Sequence, residues 1–309
     1  MKILVTGING QLGHDVINKL AARGHEGIGS GSSAAYHGVA DGSAAASAPY
    51  VQMDITDEAE VRAVLEKIRP DGVIHCAAWT AVDAAEDEEN QPKVQAVNVQ
   101  GTRNIAQVCK VLDAKMLYIS TDYVFDGQGT EPWKAECQTF APLNVYGRSK
   151  LEGELAVKDL LEKYFIVRIA WVFGLNGNNF VKTMLKVGKT HDTLRVVNDQ
   201  IGTPTYTKDL ARLLVDMVES EKYGVYHATN EGGYISWYDF AKEIFRQAGY
   251  ITKVIPVTTE EYGLSKARRP YNSRLDKSKL KEEGFNLLPD WRDGVRRYLG
   301  ELGVALTVK

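Results

Sequence analysis

A strand that runs into a glycine-spaced turn and then a helix leaves a chain few ways to fold. Ile3-Leu4-Val5, flanked by Lys2 and Thr6, is a short apolar run. Gly7-Ile8-Asn9-Gly10-Gln11-Leu12-Gly13 follows it and opens the amphipathic stretch Gln11–Ala22. Without a Cβ, Gly7 makes the tight turn, Gly10 lets backbone approach a ligand, and Gly13 lets the helix pack on the strand. The helix start presents unpaired N–H groups and partial positive charge, which suit a pyrophosphate. The turn therefore calls for a βαβ unit on a parallel sheet, and for a dinucleotide.

The rest of the first half agrees. Strands are expected at Lys2–Thr6, Glu26–Gly29, Tyr50–Met53, Gly72–His75, Lys115–Ser120 and Phe165–Ile169, with helices at Gln11–Ala22, Glu58–Ile68, Val94–Val111 and Val145–Lys163 between them. Ser30–Pro49 is rich in Ser, Ala and Gly and reads as a mobile loop, either a flap over an adenine or a surface insertion whose removal would leave the fold intact. Beyond residue 171 the pattern is mixed. Helices are expected at Asn179–Val187, Thr207–Glu219, Trp237–Ala248 and Leu288–Leu302, and a strand at Tyr223–His227. The fold class is α/β, a doubly wound parallel (Rossmann) sheet with a smaller C-terminal α/β substrate-binding lobe. Residues 1–171, with part of 203–230, form the dinucleotide-binding domain; 172–202 and 231–309 form the lobe.

Bulk properties exclude other classes. Of 309 residues 44% are apolar and 25% charged, the balance of a folded chain, and the net charge of -3 gives no case for nucleic acid or an anionic membrane as partner. No apolar run approaches the about 18 residues that span a bilayer, and Met1–Gly7 is too short for a signal peptide. Cys76, Cys109 and Cys137 form no C-x-x-C pair and read as reduced thiols of a cytoplasmic protein, Cys76 as a small core residue. Six scattered histidines form no ligand cluster, so no metal is expected. The oligomeric state is left open, a homodimer included.

At the cofactor end, the second strand closes as Gly29-Ser30-Gly31-Ser32-Ser33 with no carboxylate to hold a ribose 2′-hydroxyl. A 2′-phosphate would not be repelled there and serine hydroxyls such as that of Ser30 would bind it, yet no arginine follows. NADPH and NADH both stay open. Asp54, beside Ile55, either accepts from an adenine amino group or caps the next helix, where Thr56 and Asp57 compete with it. Small residues at Ala77 and Ala78, before Trp79, let backbone lie against the cofactor. Asn98 either ties neighbouring strand ends or sits on a helix surface. The expected cofactor contacts are Gly7, Gly10, Gln11, Leu12, Gly13, Ser30, Asp54, Ile55, Ala77, Ala78, Trp79 and Ile119, with Tyr146 and Lys150.

At the chemical end, Tyr146-Gly147-Arg148-Ser149-Lys150 places a phenol and an ammonium four apart on one helix face. A phenol, with a pKa near about 10, is a poor acid–base group at neutral pH, and an adjacent ammonium would lower it. The run Tyr118-Ile119-Ser120-Thr121-Asp122 ends the fifth strand at the carboxyl edge, where ligands bind in open α/β sheets. Strand alternation lets one of Ser120 and Thr121 face the cleft, and Thr121 is preferred as the partner of a substrate carbonyl. The residues alone reach a carbonyl reductase or its reverse.

These segments, in this order, resemble the extended short-chain dehydrogenase/reductase family, and within it the reductases of dTDP-bound 4-keto-6-deoxy sugars. The likeness spans nearly the whole chain: Gly7–Gly13, Ala77–Asp83, Ser120–Gly127, Leu143–Lys150, Ala170–Phe173, Gly177–Phe180, Val197–Gln200 and Arg269–Ser273. It implies hydride delivery from NAD(P)H to C4 of the keto sugar, with Tyr146 as proton donor, Lys150 tuning it and Thr121 binding the carbonyl. It implies a sugar pocket of Thr121, Asp122 and Trp171, a substrate contact at Asn179, and Arg269 on the diphosphate; otherwise Arg269 is a loop cation beside Arg268. A more distant likeness is to the non-catalytic regulatory subunit of methionine adenosyltransferase, which would not need the Tyr, Lys and Thr present here. A nucleotide-sugar epimerase or dehydratase is a third reading, and Tyr123 after Asp122 departs from the Thr-Asp-Glu of dehydratases.

Overall fold

The structure is a computed structural model and describes Met1–Leu306. Its main strands and helices are β1 (Lys2–Thr6), α1 (Gln11–Ala22), β2 (Glu26–Gly31), β3 (Tyr50–Gln52), α2 (Glu58–Ile68), β4 (Gly72–His75), α3 (Gly101–Leu112), β5 (Lys115–Thr121), α4 (Val145–Leu160), β6 (Tyr164–Ile169), α5 (Phe180–Gly188), β7 (Thr193–Val197), α6 (Thr207–Val218), β8 (Gly224–His227), α7 (Trp237–Ala248), β9 (Lys253–Val257) and α8 (Trp291–Glu301).

Seven parallel strands form the central sheet in the order β8-β6-β5-β4-β1-β2-β3. Alternation along each strand builds two cores. Ile3, Val5, Ile74, Leu117 and Phe165 pack against Val16 and Leu20 of α1 and Leu210, Leu213 and Leu214 of α6. Leu4, Val73, Met116, Tyr118 and Ile166 meet Val61 and Leu65 of α2, Ile105 and Val108 of α3, and Val157 of α4. A third core, off the sheet, joins Phe173, Val181, Met184, Tyr206, Phe240, Ile244, Trp291 and Tyr298.

Several expectations change. Before α3 the helical stretch starts earlier, at Gln91, and passes through a π turn at Ala96–Gln100, so Val94–Val111 is not one regular helix. Leu288–Asp290 pairs with Asn230–Glu231 as a short strand; α8 starts only at Trp291, where the Asp290 carboxylate accepts from Arg292 N at 2.7 Å. Ser30–Pro49 is docked rather than a free loop. Ser30 and Gly31 belong to β2, Ala45 is 1% exposed, Tyr36 Oη lies 2.8 Å from His14 Nδ1, and Val39 N donates to Asn176 Oδ1 at 2.9 Å. Gly29 N also donates to Pro49 O, so excising the segment would remove ladder bonds of the sheet.

Candidate active site

β1 and β4 are neighbours whose connections run to opposite sides of the sheet, so a crevice opens between their carboxyl ends. Gly7 stands there at φ 70°, its N–H on Ser30 O at 2.9 Å, and an added Cβ would lie 2.7 Å from Ala77 N. A Cβ on Gly13 would come within 2.4 Å of Gly7 O. Among the described residues no side chain caps α1 and no acidic residue lies in its first turn, which leaves the leading N–H groups for an anion. Across the crevice, Ala77 N donates to Thr6 Oγ1 at 3.1 Å.

The other expected cofactor residues divide. Ser30 is fully buried and serves the glycine turn through its carbonyl, while its hydroxyl has no partner among the described residues. Asp54 is exposed at the end of β3 and accepts from Thr56 N (2.9 Å) and Oγ1 (2.8 Å); the cap of α2 is Asp57. Ile55 is a core residue whose carbonyl accepts from Asn104 Nδ2. Gln11 Oε1 accepts from Asn179 Nδ2 at 2.9 Å.

α4 is drawn tightly onto β5. Asn144 caps it, accepting from Gly147 N at 2.7 Å. A Cβ at Gly147 would meet Tyr123 O at 2.4 Å and one at Gly153 would meet Tyr118 Oη at 2.3 Å. Asn98, in the π turn, is 1% exposed. Its Oδ1 accepts from Trp79 N (2.8 Å) and its Nδ2 donates to Trp79 O (3.2 Å) and Ser149 Oγ (2.9 Å). It thus ties the segment after β4 to the turn of α4 between Tyr146 and Lys150. Asn98→Ala strands buried polar groups on both sides. We expect it to destabilise the protein by about 1–3 kcal/mol, read as a lowered denaturant midpoint with unchanged slope.

Tyr146 is half-buried, its ring edge-on to Tyr123 at 5.9 Å. Burial, and then the Asp122 carboxylate, push its phenol up, while the neighbouring Thr121 hydroxyl acts the other way. The expected lowering by the ammonium does not occur. Lys150 is 3% exposed and its Nζ sits 4.1 Å above the Tyr118 ring. Burial pulls that ammonium down to about 7 against the opposing charge of Glu154. Ser120 is turned away, donating to Glu154 Oε1 at 2.5 Å, which leaves Thr121 beside Tyr146. Thr121 donates to Asp122 Oδ1 at 3.0 Å, and burial lifts the Asp122 carboxyl to about 6 against hydrogen bonds from Ser273 and Thr121.

Trp171 leaves β6 at φ 50° and stacks on Trp237 with centroids 3.8 Å apart. Asn179 is not brought to Tyr146. It caps α5 and spends its amide on Gln11, Gly174 O and Tyr298 Oη. Arg269 holds Asp83 with both nitrogens, at 3.0 and 2.7 Å, and Asp83 also accepts from Lys266 N and Ala267 N. Asp83, Asn144, Gly147 and Ser273 lie in the segments that carry the resemblance but receive no role from it, and Gly153 is not singled out by the sequence. Asn144 carried a cap signal just before the helix, and two glycines inside a helix signalled close packing; Asp83 carried none.

The sequence profile of the RmlD substrate binding domain matches residues 1–304. A dTDP-4-dehydrorhamnose reductase of Streptomyces griseus is 40% identical over 94% of this chain and 90% of its own, and the spore coat polysaccharide biosynthesis protein SpsK of Bacillus subtilis 39% over 97% of each. Among solved structures, a Clostridium acetobutylicum dTDP-4-dehydrorhamnose reductase superposes with a TM-score of 0.87, at 41% identity, covering 98% of this chain and 100% of its own. The Bacillus anthracis reductase in complex with NADP gives 0.86, at 39%, covering 97% and 100%. On this sheet, this crevice and this likeness, the chain belongs to the RmlD substrate-binding family of dTDP-4-dehydrorhamnose reductases.

Proposed function

We propose that the chain reduces the C4 keto group of dTDP-4-dehydro-L-rhamnose to dTDP-L-rhamnose at the expense of NADPH or NADH. The observation that carries the reading is the meeting of Tyr146, Thr121 and Asp122 at the carboxyl end of β5, across the sheet edge from the glycine turn, in a chain of this family. The crevice fits a dinucleotide: Gly7 leaves the room a Cβ would fill against Ala77, and α1 offers its first N–H groups. A bound reduced nicotinamide supplies the hydride.

The protein's own part is the proton and the position. Tyr146, kept protonated at neutral pH by burial, donates its phenolic proton to the oxygen that becomes the C4 hydroxyl. The Thr121 hydroxyl binds that oxygen and fixes its distance from the phenol. Lys150, on the same face of α4, holds the nicotinamide ribose and provides positive charge as the phenolate forms. Trp171 lines the sugar side, and Arg269, released from Asp83, meets the diphosphate bidentately. Three free thiols fit a cytoplasmic protein, and among the described residues no helix is long and apolar enough to cross a membrane.

The test is the near-UV absorbance of NADPH, and separately NADH, with enzymatically generated dTDP-4-keto-6-deoxy-L-lyxo-hexose. Decay with dTDP-L-rhamnose as product supports the reading, and the two rates rank the cofactors. Tight cofactor binding without decay refutes it. A relative named dTDP-4-keto-6-deoxy-D-glucose reductase, from Streptomyces niveus and 36% identical over 93% of this chain, favours a second reading, another dTDP-bound 4-keto sugar, to be assayed beside the first.

A further inference from the structure

One helical turn beyond Lys150, on the face that carries Tyr146 and Lys150, α4 buries a carboxylate. Glu154 is fully buried, as is its partner Arg168 of β6. Glu154 Oε1 accepts from Arg168 Nε at 2.8 Å and from Ser120 Oγ at 2.5 Å, and Oε2 accepts from the second guanidinium nitrogen at 2.7 Å. The guanidinium also lies 3.3 Å from Ala135 O and from His227 Nε2, and 5.1 Å from the rings of Phe125 and Phe140. An apolar pair of this volume would often be as stable, because both charges must shed water. What an apolar pair would lack is a fixed negative charge beneath Lys150 and a bond to Ser120, the residue before Thr121.

We infer that Glu154 is a positioning residue for the reaction: clamped by Arg168 and Ser120, it locks the Tyr146–Lys150 turn onto β5 and sets a fixed negative charge on the helix face that carries Lys150. The inference rests on the role given to Lys150 above. The groups facing this pair come from every neighbouring element: Tyr118 and Ser120 of β5, His75 and Cys76 at the end of β4, Tyr146 and Lys158 of α4, Arg168 of β6 and His227 of β8. Burial keeps most of them neutral, holding His75 down at about 3, His227 well below its usual value, Cys76 up at about 12 and Tyr118 well above the usual phenol. The charges that remain are those of Lys150, Glu154, Arg168 and Lys158, and Glu154 is the largest influence favouring the charged form of Lys150. Removing it makes Lys150 lose its proton at lower pH.

The experiment compares wild type, Glu154→Gln and the double variant Glu154→Gln/Arg168→Met as full chains, measuring turnover against pH, NADPH affinity by fluorescence and melting temperature. Glu154→Gln should bind NADPH within about twofold of wild type at acid pH, while the alkaline limb of its turnover moves about one pH unit lower, a loss of about tenfold above that limb. The double variant, free of an unpaired buried guanidinium, should regain melting temperature yet keep the displaced limb, and it carries the test if the single variant does not fold. A limb that stays at its wild-type position in the double variant overturns the inference and leaves Glu154 a merely structural group. Lys150→Met, measured alongside, separates the two levels. Wild-type turnover in that variant removes the role of Lys150 itself, whereas its inactivity with an unmoved limb removes only that of Glu154.

Discussion

Tyr146→Phe is expected to bind NADPH as tightly as wild type and to turn over at least about a hundredfold more slowly. General acid catalysis is worth about 10²–10⁴ in rate, and this substitution removes the proposed donor while leaving the ring that packs edge-on to Tyr123. The direction of the phenol's shift sharpens the expectation. Burial favours the protonated phenol, so the proton is in place at neutral pH, and the energetic difficulty lies in the phenolate left behind. The Thr121 hydroxyl is the group at hand to stabilise that anion. The check is turnover with the keto sugar beside a fluorescence titration of NADPH. Turnover within tenfold of wild type, at intact affinity, would remove Tyr146 from the chemistry.

The second large effect concerns Gly13→Ala. A methyl there would sit 2.4 Å from Gly7 O, a backbone atom that cannot swing aside, so the turn must open or α1 must move. Overpacking of this kind costs about 1–3 kcal/mol, which at a binding site is a loss of up to about a hundredfold in affinity. Gly10→Ala is the control for stability, because its methyl would meet the same oxygen only at 3.2 Å and needs a shift of a few tenths of an ångström. We expect Gly13→Ala to lose NADPH binding and melting temperature together, and Gly10→Ala to lose much less of its melting temperature. Equal melting temperatures for the two variants would mean that this contact does not hold the turn.

Much of the sheet was readable because its signals are local. Ile3 and Val5 alternate with Leu4, the three glycines sit between strand and helix, and each needs only its neighbours to be understood. What escaped depends on distant partners. Arg168 within an apolar strand demanded a buried carboxylate, yet nothing nearby said that Glu154 would supply it. Arg269 reads as a free cation until Asp83, far away in the chain, is folded against it. Leu288–Asp290 has helical neighbours and becomes a strand only because Asn230 and Glu231 offer an edge. Ser30–Pro49 has the composition of a linker, and its order comes from polar ties that composition does not register: Tyr36 to His14, and the amides of His37, Val39 and Ala45 to Asn9, Asn176 and Asn18.

The route of the chain between its cores bears on how the protein comes apart. It leaves the central sheet after Ile169, returns at Thr207 to lay α6 and β8 on it, departs after His227, and packs against the sheet core once more at Leu280, Phe285 and Leu288 before Trp291 rejoins the off-sheet core. No single cut severs the off-sheet core from the sheet, and a transplant between related chains would need a matched seam at each crossing. Recombination of whole modules between related chains is thus disfavoured by the path of the backbone.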